Sequence, residues 1–363
     1  MDKKQLEVIN SNPNIIVSGG PGTGKTLLSI HIANLHASNA KKVALVVFTK
    51  ALRTFIEQNL SKANTNTKVY YEREWDRDPE RYYDIIIVDE FQDFSLTDMK
   101  KLIDRSNIGV YLFGDTEQKL YKKNLSGEET LNLESLKNLT NFKIVNLTEN
   151  FRVPIPIFNL IKDIYKHNLY PPKEKGTFYP SQKKYQPKKI SRPNKNSELP
   201  LIIKLENSIA QMDWIVNFLG SKHNFKNIGI LFKQNKTFKE RYPIDKSFFE
   251  DEYSGVYETC RYLRNKEIDC GYKLESSDNL KFMQNPSINL LTIHSAKGLE
   301  FDCVILPFYG FRNSNVNGNL PYIAFSRCSS KLIILYSGIV SDELHLTNAA
   351  LLEGEIRKKR IWI

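Results

Sequence analysis

The chain has 363 residues, of which 41% are hydrophobic and 26% charged, which excludes a disordered or disulfide-scaffold protein and leaves room for a sizeable core. Domains of ~100–200 residues are typical, so two are expected. The formal net charge of +11 suits a polyanionic partner, either nucleic acid or a membrane surface, and also fits a plain abundance of lysine.

Short β-branched runs alternate with helical patterns along the chain. Residues 14–18, 43–48, 84–89 and 109–114 read as strands buried on both faces, and 27–37 and 97–106 as helices between them. A second series follows residue 150. There 201–205, 228–232, 288–293, 303–306 and 331–336 read as strands, and 210–219, 255–265 and 322–329 as helices. This alternation predicts an α/β fold with parallel sheets in two tandem domains, 1–147 and 148–363.

A different stretch lies inside the second domain, at 166–200. Residues 166–195 hold eight Lys and one Arg against the single acid Glu174, and 171–200 hold six of the fifteen prolines. Such a segment buries little apolar surface and reads as an exposed loop. Tyr170, Phe178, Tyr179 and Tyr185 are interleaved with the lysines, a mix suited to phosphate contact and base stacking, or else to a solvated linker. Lys183, Lys184, Lys188 and Lys189 are its candidate phosphate contacts.

The four cysteines, Cys260, Cys270, Cys303 and Cys328, form no Cys-x-x-Cys pair and read as reduced, mostly buried thiols. The first ten residues carry no apolar signal region, and no apolar stretch approaches the ~20 residues of a membrane helix. A cytoplasmic protein without membrane attachment is therefore expected.

Two motifs carry chemistry by themselves. Gly19-Gly20-Pro21-Gly22-Thr23-Gly24-Lys25-Thr26 fits G-x-x-x-x-G-K-[ST], follows a strand and opens a helix. Its glycines let backbone N–H groups wrap phosphates, and the helix N-terminus favours the anion. Lys25 is expected to reach the β- and γ-phosphates of ATP, and Thr26 to put its hydroxyl on Mg²⁺. The run Ile85-Ile86-Ile87-Val88 ends in Asp89 and Glu90. Asp89 is expected to hold the metal, and Glu90 to polarise the attacking water.

Asp89-Glu90-Phe91-Gln92-Asp93 resembles motif II of the UvrD/Rep-like superfamily 1 helicases, and further motifs follow in that family's order. Gln5 resembles the glutamine that reads adenine. Phe48-Thr49-Lys50-Ala51-Leu52 resembles motif Ia, which implies that Thr49 and Lys50 touch the DNA backbone. Gly114-Asp115-Thr116-Glu117-Gln118-Lys119-Leu120-Tyr121 is similar to motif III, with Gln118 as γ-phosphate sensor and Tyr121 against a base. Leu147-Thr148-Glu149-Asn150-Phe151-Arg152 resembles motif IV, with Arg152 reaching the γ-phosphate from the second domain. Thr292-Ile293-His294-Ser295-Ala296-Lys297-Gly298-Leu299-Glu300-Phe301 is similar to motif V. There Gly298 and Glu300 would face the nucleotide, and Thr292 and His294 the DNA. Tyr322-Ile323-Ala324-Phe325-Ser326-Arg327 resembles motif VI, with Arg327 as arginine finger. Cys328 follows where the family has Ala, and Ser326 stands where it has Thr.

The resemblance implies two RecA-like domains with an ATP cleft between them. It also implies a DNA-stimulated ATPase that translocates 3′-to-5′ on single-stranded DNA, RNA being left open. The rival reading is an ATP-gated module that regulates a nuclease or sensor partner, as in bacterial anti-phage systems. Family helicases carry a helical insertion in each domain. Here motif Ia ends at Leu52 and the Asp89 strand already opens at Ile85, and the stretch Ile228–Gln234, which resembles the one before the second insertion, is soon followed by motif V at Thr292, so both accessory subdomains are expected to be missing and unwinding to be weak. Trp75, within a charged run, is the candidate wedge between motifs Ia and II.

Overall fold

A computed structural model of the chain describes residues 1–60, 66–72, 74–77, 82–115, 127–131, 133–139, 141–166, 199–233, 255–274, 278–282, 284–309 and 320–338. They form two compact units, Met1–Arg152 and, among the described residues, those from Val153 onward.

The first unit opens with α1 (Lys3–Ile9). The Asp2 carboxylate accepts the Gln5 N–H, and Gln5 Oε1 accepts the Asp2 N–H, so two helix-end groups are satisfied reciprocally. Next come β1 (Ile15–Gly19), α2 (Lys25–Ser38), β2 (Val43–Val47), α3 (Lys50–Asn59) and β3 (Thr67–Tyr71). They are followed by β4 (Tyr83–Asp89), α4 (Leu96–Asp104), β5 (Ser106–Gly114), α5 (Leu133–Leu139) and β6 (Lys143–Leu147). The sheet order is β3-β2-β4-β5-β1-β6, and every pair is parallel. All C-terminal strand ends therefore leave by one edge, which brings together Gly19 of β1, Asp89 of β4 and Gly114 of β5. Ile85, Ile86, Ile87 and Val88 are buried on both faces of the sheet, which explains their unbroken apolar run. Met99 and Leu102 of α4, three residues apart, pack into the same core.

The second unit holds α6 (Ile155–Lys166), β7 (Leu201–Lys204), α7 (Ser208–Gly220), β8 (Asn227–Phe232) and α8 (Val256–Asn265). After these come β9 (Gly271–Lys273), β10 (Asp278–Asn279), β11 (Ser287–Thr292), β12 (Phe301–Leu306), α9 (Leu320–Ser326) and β13 (Cys328–Tyr336). Its sheet order is β10-β9-β11-β8-β12-β13-β7. The β9–β10 pair is antiparallel and the rest are parallel. Ile228, Ile230, Leu290, Ile305 and Ile333 centre its core. All four cysteines are buried and free of disulfide. Among the described residues no helix is long and apolar enough to cross a membrane.

Two expected helices end early. The one expected over 97–106 stops at Asp104, and β5 begins at Ser106. The one expected over 322–329 stops at Ser326, and β13 begins at Cys328, ahead of its apolar run from Leu332.

Candidate nucleotide site

The glycine-rich loop leaves β1 at Gly19 and re-enters helix at Lys25, with Gly24 in the left-handed region at φ 83° as N-cap of α2. Gly20 and Pro21 form its outgoing arm. Thr23 Oγ1 donates to Gly20 O at 2.9 Å and braces the turn. Lys25 Nζ folds back along the loop and donates to Gly19 O at 2.6 Å and Gly20 O at 2.9 Å. Burial pushes the Lys25 amine below its usual pKa, while the charges of Asp115, Glu90 and Asp89 oppose that shift.

Gly22 cannot carry a side chain, for two reasons. Its φ is +77°, and a Cβ there would collide with Asn150 Oδ1 and stand 3.0 Å from Arg152 Cβ. Phe151 N–H donates to Gly22 O at 2.8 Å, and Asn150 Oδ1 accepts the Arg152 N–H at 3.0 Å. Arg152, expected to approach from the second domain, therefore belongs to the first unit. The Phe151–Gly22 bond holds its segment against the loop, and the Asn150–Arg152 bond shapes the segment itself.

The carboxylates come from the end of β4. Thr26 Oγ1 donates to Asp89 Oδ2 at 2.7 Å, and Asp89 Oδ1 accepts the Glu90 N–H at 3.1 Å. Burial, then the neighbouring Glu90 charge, lifts the Asp89 carboxyl to about 7, against opposing pulls from Thr26 and Lys25. Glu90 sits at φ 61°, a left-handed conformation that is uncommon for a residue with a side chain. Its carboxylate accepts from Gln92 Nε2 at 2.5 Å. Gln92 Oε1 in turn accepts the Asp115 N–H at 3.0 Å, just past the end of β5. A Cβ on Gly114 would collide with Gln92 Oε1 and the Phe91 ring, so the strand end is kept bare to let the glutamine through. Lys25, Thr26, Asp89 and Glu90, predicted from two separate motifs, thus meet in one polar cluster. Gln92, Asn150 and Asp115 complete it, and none of the three was singled out as a site residue from the sequence.

Other expected residues have different occupations. Gln5 was expected to read adenine, but both ends of its amide are engaged. Its Oε1 takes the Asp2 N–H, and its Nε2 donates to Thr23 O at 3.1 Å, so it braces the phosphate loop. Thr49 Oγ1 accepts the Leu52 N–H as N-cap of α3, and Lys50 Nζ lies 5.0 Å from the Tyr71 ring centre. Trp75 is buried and stacked under the Arg105 guanidinium at 4.8 Å, which removes it as an exposed wedge.

In the second unit, Thr292 Oγ1 accepts the Ser295 N–H at 3.1 Å in the turn after β11. Burial, then the Lys297 charge, lowers the pKa of His294. Gly298 takes φ 83° and Glu300 is exposed, its carbonyl accepting from Asn227 Nδ2 at 2.7 Å. Arg327 is buried and turned into its own unit: Nε donates to Ile323 O at 3.2 Å, Nη1 to Leu299 O at 3.4 Å and Nη2 to Ser326 Oγ at 3.2 Å. Gln118, Tyr121, Lys183, Lys184, Lys188 and Lys189 lie outside the described residues.

Comparison with known proteins adds a second line. A family model described as an AAA domain matches residues 3–124, and one described as a UvrD-like helicase C-terminal domain matches residues 287–335. Replicase polyprotein 1ab of Alphamesonivirus 1 is 29% identical over 118 residues, 31% of this chain and 2% of that polyprotein. The arterivirus nonstructural protein 10 helicase, solved with DNA, is 16% identical, with 94% of this chain and 65% of that one covered and a TM-score of 0.41. The Pif1 helicase from Bacteroides, solved with ADP-AlF3 and single-stranded DNA, is 15% identical, with 99% and 97% covered and a TM-score of 0.41. The chain thus spans a small fraction of the viral polyprotein and under two thirds of the arterivirus protein, and structural likeness at these scores carries no argument about activity. The first model covers the phosphate loop and the Asp89 strand, the second the strands flanking motifs V and VI, and each falls within one of the two α/β units: the chain is similar to an AAA domain in the first and to a UvrD-like helicase C-terminal domain in the second.

Proposed function

We propose that the chain is an ATP-hydrolysing motor that is stimulated by, and moves along, single-stranded DNA in the 3′-to-5′ direction. The observation that carries the hydrolytic part is the 2.7 Å bond between the Thr26 hydroxyl and the Asp89 carboxylate, beside a buried Lys25. A hydroxyl and a carboxylate whose ionisation is opposed by burial and a second carboxylate form an oxygen donor set that suits a hard divalent cation. Mg²⁺ held by Thr26 and Asp89 would neutralise charge on the transferred phosphoryl group.

Every other role falls to the chain's own groups. Lys25 exchanges its two carbonyl partners for the β- and γ-phosphate oxygens of ATP, and the loop N–H groups bind the rest of the phosphate chain. Glu90 takes a proton from the attacking water, and Gln92 holds the Glu90 carboxylate in place meanwhile. Arg152 stands beside the loop on the first unit. Arg327 is the second unit's contribution, and it must trade its bonds to Ile323 O, Leu299 O and Ser326 Oγ for phosphate.

The net charge of +11 and the lysines of 166–195 support a polyanionic track. Weak unwinding by the isolated chain follows from what lies between motif Ia and the Asp89 strand. Among the described residues that stretch holds α3, β3 and a buried Trp75, and no added subdomain. Gain of unwinding or cleavage is expected with a protein partner, such as a nuclease or sensor. Phosphate release should be measured with single-stranded DNA, duplex DNA and single-stranded RNA in parallel. Stimulation greatest with single-stranded DNA is expected, and equal or greater stimulation by RNA would reassign the track. A duplex with a 3′ tail should stay largely intact under single-turnover conditions, and efficient unwinding would refute that part.

A further inference from the structure

Cys260 on α8 and Cys270, the residue before β9, come together from two elements. Their Sγ atoms are 3.6 Å apart and both are buried, at 4% and 0% exposure. Nothing in the nucleotide site uses them. The groups around them are cationic in balance. Arg264 Nη2 donates to Cys270 O at 3.1 Å, and Lys281 lies near enough for its charge to be felt, partly offset by its ion pair with Asp269. A thiolate on one sulfur would accept the remaining S–H of the other and face two positive side chains. Of the other two cysteines, Cys303 lies on β12 and Cys328 heads β13, where its Sγ donates to Asp302 O at 3.8 Å.

We propose that Cys260 and Cys270 are an oxidisable dithiol, a modification site at which a peroxide converts the pair to an intrachain disulfide. The Cys270 S–H bond, then Arg264 and Lys281, holds Cys260 below the usual thiol range at about 7, which makes it the attacking sulfur. Cys260 thiolate attacks one oxygen of hydrogen peroxide; the S–O bond forms, the O–O bond breaks and hydroxide leaves, taking up a proton as water. Cys270 then attacks the Cys260 sulfur. The S–S bond forms, the S–O bond breaks and a second water leaves, carrying the Cys270 proton. Two thiols have lost two electrons and one peroxide has gained them. Burial restricts the site to a small oxidant. The bridge ties α8 to β9, which pairs with β11 at Asn289 and Leu290, and so staples the strand that leads into motif V. Closing this loop restricts the unfolded chain, so the oxidised second unit melts at a higher temperature.

The full chain in native buffer is treated with hydrogen peroxide, quenched in acid, alkylated in denaturant and digested with trypsin. Cleavage after Arg261, Arg264 and Lys266 sends Cys260 and Cys270 into separate peptides. The expected result is one linked species joining those two peptides, split by dithiothreitol, with the free-thiol count falling from four to two. A Cys270→Ala chain should instead hold Cys260 as a sulfenic acid that dimedone labels. Recovery of both cysteines alkylated from the peroxide-treated wild-type chain, or a bridge that uses Cys303 or Cys328, overturns the proposal.

Discussion

The Thr26 hydroxyl donates to the Asp89 carboxylate at 2.7 Å and so joins the first turn of α2 to the end of β4, two elements separated by 63 positions along the chain. Neither partner reaches the other unless β1 and β4 point the same way, which the parallel order β4-β5-β1 secures.

Asp89 gives the first unit a pH signature. Its folded pKa is about 7, raised by burial and then by Glu90, against ~3.9 for an unfolded aspartate. Between these values the folded state holds a proton that the unfolded state has released. Asp89's contribution to stability is therefore greatest at low pH and is lost as pH rises toward 7. In EDTA, Asp89→Asn should melt close to wild type near about pH 4 and above it near about pH 8. Parallel melting profiles for the two proteins would contradict the assignment.

Gln92 bridges Glu90 and the Asp115 N–H, so Gln92→Ala strands a buried donor and frees the Glu90 carboxylate. The first loss should cost ~1–3 kcal/mol in denaturant melts. The second should slow single-turnover cleavage while nucleotide affinity holds. A change in affinity alone, with cleavage intact, would show that Gln92 does not position the base.

The nucleotide loop and the Asp89 strand were legible in the sequence because their residue types are dictated by local chemistry: glycines at strained φ, a lysine at a helix start, an apolar run ending in acids. The edge strands β3 and β6 were not, because one-sided burial breaks their apolar run with exposed Lys68 and Lys143. Gln92 was read inside motif II, but nothing in its spacing tells that its amide spans from β4 to the end of β5. Gln5 carried a usable signal, since Asp2 three positions earlier forms a capping box with it, yet its second bond to Thr23 O is purely tertiary. The inward turn of Arg327 is likewise a matter of packing, with Leu299 O contributed by a distant loop.

Arg327→Ala should cut turnover by ~10³-fold or more, the range of arginine fingers in nucleotide hydrolases, with nucleotide binding by the first unit retained. Arg327→Lys should rescue little, since one ammonium cannot replace a planar five-donor fork. Wild-type turnover in both would leave Arg327 as a structural residue that ties α9 to Leu299.

The basic segment is tested by salt. Replacing Lys183, Lys184, Lys188 and Lys189 together with Ala should lower affinity for single-stranded DNA and flatten log K against log salt by ~0.7 for each phosphate left unneutralised. An unchanged slope would make the segment a linker.

The central claim is hydrolysis of ATP at the Lys25–Thr26–Asp89–Glu90 cluster. Its most direct test is steady-state phosphate release with and without single-stranded DNA, by wild type, Lys25→Ala and Glu90→Gln. Wild type should turn over and speed up with DNA. Lys25→Ala should bind and cleave poorly, and Glu90→Gln should bind ATP yet cleave ~10²–10⁴-fold more slowly. Phosphate release at the wild-type rate by both variants would contradict it.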